Sequence, residues 1–159
     1  MRRIKRYATR KEALDELANV GRANSDATVL FHSTMASLLG LHPTDYKTLG
    51  ILDRLGPLSA GEIARHSGLA TASVTNLIDR LESKGFVRRT ADPDDRRRIL
   101  VEPIKDRVAA GRAHFASTQR SLAEMWEGYS KGDLEVIADF LARNAERLRA
   151  ETEKLHQSR

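Results

Sequence analysis

Apolar positions in this chain recur mostly at intervals of three, four and seven, the spacing that gathers side chains onto one face of a helix. Between residues 12 and 39 the repeat is carried by Leu14, Leu17, Leu30, Phe31, Met35 and Leu38, around a polar centre at Asn24, Ser25 and Asp26. That pattern predicts one long helix whose two ends meet different partners. His42-Pro43-Thr44-Asp45 predicts a second helix start, with proline near the first turn. Tyr46, Leu49, Leu52 and Leu55 continue it to a stop at Gly56-Pro57. Ser59-Ala60-Gly61-Glu62 has the spacing of a capping box, which satisfies two orphan N–H groups at a helix start. The short helix it opens ends at Ser67-Gly68. Thr71 opens the next, with Val74, Leu77, Ile78 and Leu81 on its apolar face and Lys84-Gly85 at its end.

The period then changes. Phe86-Val87-Arg88-Arg89-Thr90 and Ile99-Leu100-Val101-Glu102 are short β-type runs around an Asp/Pro turn and three arginines, which predicts a hairpin. Pro103 is expected to end its second strand. A long helical pattern returns over about 105–129, with Val108, Phe115, Leu122, Trp126 and Tyr129 on one side. Lys131-Gly132 is read as a break and Asp133 as a cap. The last helix carries Leu134, Ile137, Leu141, Leu148 and Leu155, with Asn144 interrupting its seam. Apolar stripes on long helices at both ends of a chain need a partner surface, and a homodimer joined through them is the economical solution.

The middle of the chain has the arithmetic of a helix-turn-helix. Ala64 is small where two helices cross, and Gly68 follows where the turn favours positive φ. Val74 and Leu77 are placed to pack the second helix back on the first, with Ile63 and Leu69 between them, over about twenty residues. Two ordinary helices joined by a Ser-Gly turn remain the plainer alternative. On a helical wheel the face opposite Val74, Leu77, Ile78 and Leu81 carries Ala72, Asn76, Asp79, Arg80 and Ser83, flanked by Ser73 and Thr75. Asparagine can pair with adenine, arginine with guanine or phosphate, and small methyl groups with the thymine methyl. Asp79 is the wrong charge for phosphate and is expected to pair with Arg80 or another basic neighbour. In the hairpin, Arg96, Arg97 and Arg98 would project beside a helix seated in the major groove, where an arginine can enter the adjacent minor groove.

Charge sharpens this picture by its position. The 159 residues carry 27 Lys and Arg against 22 Asp and Glu, a formal net charge of +5. Arg2, Arg3, Lys5, Arg6, Arg10 and Lys11 lie within residues 1–11, which contain no acid, so the rest of the chain sums to −1. A basic arm on a near-neutral body suits a phosphate backbone, and a solvated tail equally. There is no cysteine, which excludes disulfides, thiol nucleophiles and thiol redox sensing. No apolar run of about 18 residues predicts a membrane span, and the basic start lacks the apolar core of a signal peptide, so a cytoplasmic protein is expected.

The pieces "SVTNLIDRLESKGFVRR" and "DPDDRRRILV", with the order of elements over residues 12–155, resemble the MarR family of winged helix-turn-helix regulators. The resemblance implies a mainly α fold of six helices with a small β-hairpin wing. It implies a homodimer joined by a helical lobe (residues 12–42 and 105–159), with residues 43–104 as the DNA-binding lobe and 1–11 as a basic arm. The partner would be double-stranded DNA bearing a palindromic operator. DNA contacts fall on Thr71, Ser73, Thr75, Asn76 and Arg80. The family's Asp-x-Arg of the wing falls on Asp95 and Arg97, the arginine for the minor groove and the aspartate to orient it. Pro103-Ile104 and Arg107 depart from the family's pattern at the start of the fifth helix.

Many relatives take a small aromatic or anionic effector where the two lobes meet. The residues of suitable chemistry here are Phe31, His32, Met35, Tyr46, Leu49 and His114, although aromatics and methionine at helical spacing are equally the makings of a core. Zinc sensing is not expected, because His32, His42, His66, His114 and His156 are scattered without an i, i+4 pair. No cofactor is expected. An enzyme would need a convergent set of catalytic groups, a phosphate-binding glycine motif or a nucleophile elbow, and the sequence has none. The remaining rival is a winged-helix module that binds protein instead of nucleic acid.

Overall fold

The computed structural model describes residues 5–158, with side chains for all of these except 107–115 and 156. Six helices run through the chain: α1 (Arg10–Leu38), α2 (Pro43–Leu55), α3 (Ala60–Ser67), α4 (Thr71–Ser83), α5 (Lys105–Trp126) and α6 (Lys131–Gln157). Three short strands, β1 (Leu58–Ser59), β2 (Val87–Ala91) and β3 (Ile99–Pro103), form an antiparallel sheet in the order β1-β3-β2. The fold is therefore mainly α with a small wing, as the pattern predicts. Among the described residues no helix is long and apolar enough to cross a membrane.

Local chemistry sets the boundaries. Thr9, outside the expected helix, caps α1 by accepting from the Glu12 N–H at 3.2 Å, so Arg10 and Lys11 are helical and the helix starts two residues earlier than the pattern predicts. The Ser59 hydroxyl accepts from the Glu62 N–H at 3.3 Å while Glu62 accepts from the Ser59 N–H at 2.8 Å, completing the expected capping box of α3. At the start of α6 a second capping box uses Ser130 as the cap, with Asp133 three residues inside. Gly68 ends α3 at φ +70°, a conformation that costs a residue with a Cβ about 1–2 kcal/mol. A Cβ there would also stand 3.3 Å from Thr152 Cγ2 on the C-terminal turns of α6.

The sheet holds one more strand than the expected hairpin. Leu58 and Ser59 pair with Val101 and Leu100, so the residues leading into α3 close the free edge of β3. Pro103 is the last residue of β3, opposite Val87, and does not end the pairing: the Ile104 N–H donates to the Phe86 carbonyl at 2.9 Å. A proline is tolerated there because it sits at the strand end, where the next residue supplies the donor.

The core lies where α2, α3, α4 and the sheet converge. Leu52, Ile63, Val74, Leu77, Ile78, Leu81, Val87 and Val101 form one buried cluster. The ends of the chain are different. Leu14, Leu17 and Leu30 on α1, Leu122 and Trp126 on α5, and Ile137, Leu141, Leu148 and Leu155 on α6 are exposed, Leu30 to 68%. Leu81→Ala empties a site that is 0% exposed, and is expected to cost about 2–5 kcal/mol. The measurement is urea unfolding, where the midpoint should fall with the slope unchanged.

Candidate DNA-binding surface and the adjoining cleft

The apolar side of α4 is sunk in the core, which turns Thr71, Ser73, Thr75, Asn76, Asp79 and Arg80 to solvent. The helix begins without a side-chain cap, because Ala70 at the cap position has no oxygen to offer. The N–H groups of its first turn, together with the positive end of the helix dipole, thus stay available to an anion. The Thr75 hydroxyl is partly committed, donating to the Thr71 carbonyl at 3.3 Å.

Acids on this helix are neutralised from the wing. Arg89 on β2 bridges to both Asp79 and Glu82, and its own N–H donates to Glu82 Oε1 at 3.1 Å. Asp79 therefore pairs with a basic neighbour, as expected, and the neighbour is Arg89. Arg80 turns elsewhere. Its Nε donates to Asp45 Oδ2 at 3.0 Å and its Nη2 to Asp45 Oδ1 at 2.6 Å, a side-on pair between α4 and the first turn of α2. Asp45 is 1% exposed and Arg80 47%. The hydrogen bond that Arg80 donates to Asp45 raises the Arg80 pKa above its ordinary value.

The wing loop is shaped by its aspartates. Asp92 Oδ1 accepts from the Asp94 N–H at 2.9 Å, and Asp95 Oδ1 from the Arg97 N–H at 3.0 Å. Asp95 thus holds the backbone of Arg97, because a short side chain two residues upstream reaches the main chain. Arg98 bends inward, bonding to Glu62 and lying 3.7 Å from Asp92. Arg96 and Arg97 are exposed and make no ion pair among the described residues. Of the three wing arginines, one anchors the loop to α3 and two face outward.

The expected effector residues separate. Met35 and Leu49 are buried, Leu49 within the core cluster, and neither lines the cleft that His32 borders. The His114 side chain lies outside those described. His32 does line a cleft of about 420 Å³ between α1, α2 and the turn after α3, along with Val29, Lys47, Ile51, His66 and Leu69. Phe31 and Tyr46 stand at its histidine, with ring centroids 5.4 and 5.9 Å from that of His32. Lys47 Nζ is 3.1 Å from His32 Nε2. Burial, then the charge of Lys47, lowers the His32 pKa, and burial followed by Arg54 lowers that of Lys47. Among the described residues no acid lines the cleft, so its field favours an anion. Sequence reasoning missed Lys47, Asp45 and Arg89, whose partners lie on other elements.

A helix-turn-helix with its second helix exposed along one face, and a basic wing beside it, defines a winged-helix DNA-binding protein. The sequence pattern of the MarR family matches residues 41–99. The chain is 42% identical over 134 residues to the uncharacterized HTH-type transcriptional regulator YcgE of Bacillus subtilis, covering 82% of this chain and 84% of that protein. It is 31% identical over 127 residues to YwaE of the same organism, also an HTH-type transcriptional regulator, covering 80% and 68%. A MarR family protein from Bacillus stearothermophilus superposes with a TM-score of 0.67 at 21% identity, covering 89% of this chain and 99% of that one. The chain belongs to the MarR family of DNA-binding transcriptional regulators.

Glu62 is the joint between cap and wing. Arg98, then the Ser59 N–H and hydroxyl, lower its pKa from 4.5 to about 2. A depressed carboxylate contributes stability that is present above its unfolded pKa and lost as pH falls through the folded one. Between pH 4.5 and 2 the melting temperature of Glu62→Gln should therefore fall less steeply than that of the parent, as followed by circular dichroism across that range.

Proposed function

We propose that the chain acts as a homodimeric repressor which binds a palindromic operator and is released when a small anionic or aromatic effector fills the cleft. The observation that carries the DNA reading is the exposed face of α4. Its acids are neutralised from behind by Arg89, its first turn is uncapped, and it stands beside the outward Arg96 and Arg97. In this reading Thr71, Ser73, Thr75 and Asn76 meet base edges in the major groove, and Arg80 meets the backbone or a guanine. Arg97 enters the minor groove from a loop shaped by Asp95. The protein works in the cytoplasm by binding, without catalysis.

The exposed leucines of α1 and α6 and Trp126 of α5 support pairing of two copies through residues 12–42 and 105–159. Residues 43–104 then form the reading lobe, with a basic arm at the start of the chain. Two reading helices about 34 Å apart fit successive major grooves. An effector wedged between α1 and α2 moves the lobes relative to each other and costs both half-sites together. It acts only through its affinity difference between the two arrangements. Lys47 is the charged anchor for a carboxylate or phenolate.

Selection of bound sites from random duplexes is expected to return a palindrome with half-site centres about 10 bp apart. Arg97→Ala should weaken binding and reduce the salt slope by about 1 per subunit, measured by fluorescence anisotropy across a salt series. Unchanged affinity would favour a protein-binding module. Phenols and carboxylates titrated against the preformed complex are expected to release it, and a panel without effect would mark a constitutive binder.

A further inference from the structure

Asp45 is a buried carboxylate on one helix satisfied by an arginine on another, 35 residues away. The pair is side-on: the carboxylate takes Nε and one terminal nitrogen of Arg80. An arginine has five N–H groups in a fixed planar fork, so three remain. With Arg80 47% exposed and no second side-chain partner among the described residues, these stay open beside the reading face of α4. A free arginine would have to be ordered when it meets DNA; one already clamped has lost that freedom on folding.

The other side of Asp45 leads to the cleft. The Thr44 hydroxyl is 3.4 Å from Asp45 Oδ1 and 2.9 Å from His42 Nδ1. Thr48 donates to the Thr44 carbonyl at 3.0 Å. Thr44, Lys47 and Thr48 all belong to the wall of the cleft. The turn of α2 that holds Arg80 is therefore the turn that a molecule in the cleft would press.

We propose that Asp45 is a positioning residue for Arg80: it presets the guanidinium for a DNA contact, and the first turn of α2 sets the aim of that contact from the cleft. The proposal rests on the reading of α4 as the DNA-binding helix. Its sign is distinctive. By charge alone, Asp45→Asn removes an acid from the neighbourhood of phosphates and should tighten binding. Positioning requires the opposite.

The test is DNA affinity of the full-length protein on its selected site, with melting curves for every variant. Asp45→Asn is expected to weaken binding about tenfold while leaving the salt slope unchanged, because Arg80 keeps its charge. Arg80→Ala should weaken binding and lower the slope by about 1 per subunit. In the Arg80→Ala background, Asp45→Asn should have no further effect on DNA affinity, since coupled residues are non-additive. Arg80→Lys, which keeps the charge and a partner for Asp45 but lacks the planar fork, should lose about as much as Asp45→Asn. It carries the test if Asp45→Asn fails to fold. Asp45→Asn or Arg80→Lys binding as tightly as the parent would overturn the proposal, as would an Asp45→Asn loss that persists undiminished without Arg80. If Arg97→Ala is also silent, the DNA reading itself has failed; if Arg97→Ala weakens binding while these variants do not, only the positioning role has.

Discussion

The exposed polar face of α4 depends on how firmly that helix is seated. Val74, Leu77, Ile78 and Leu81 are almost wholly buried in the cluster that also holds Leu52 of α2, Ile63 of α3 and Val87 and Val101 of the sheet. Because interiors pack at near-crystalline density, a helix held on four successive apolar positions cannot rotate without opening voids. The polar face is thereby fixed in azimuth with no polar interaction required. Sheet and helices share this core, so β2 and β3 are packed into the same cluster as α4.

Charges complete what packing begins. Each of three arginines around α4 is assigned a different acid: Arg80 to Asp45, Arg89 to Asp79 and Glu82, Arg98 to Glu62. The exposed pairs among these add little stability each, but all of them allocate charge. Acids that would repel a polyanion are occupied on the inner side, and Arg96 and Arg97 are left outward. Glu62 has a double part, closing the N-terminus of α3 while holding the base of the wing loop. The first turn of α3 and the angle of the wing are thus tied to one carboxylate.

Much of this was legible in the chain because it is local. The capping box at Ser59, the glycine at 68, the apolar face of α4 and the change of period at Phe86 each need only a window of a few residues. What escaped was short or distant. Strand β1 has two residues, too few to show a period. The partners of Arg80 and Arg98 lie 35 and 36 positions away, beyond any local pattern. Met35 and Leu49 fit a cavity and a core equally well by chemistry, and only the packing of α1 on α2 puts them in the interior. The inward turn of Arg98 was hidden because three consecutive arginines look alike until a neighbour selects one.

The contact between Gly68 and Thr152 binds two distant parts of the chain to a shared tolerance. The turn that launches α4 holds residue 68 at positive φ, and a Cβ added there would stand 3.3 Å from the threonine methyl, close enough that one of the two must give. The far end of the last helix is thereby recruited into the mutational constraints of the turn before α4, although it lies more than eighty residues further along the chain.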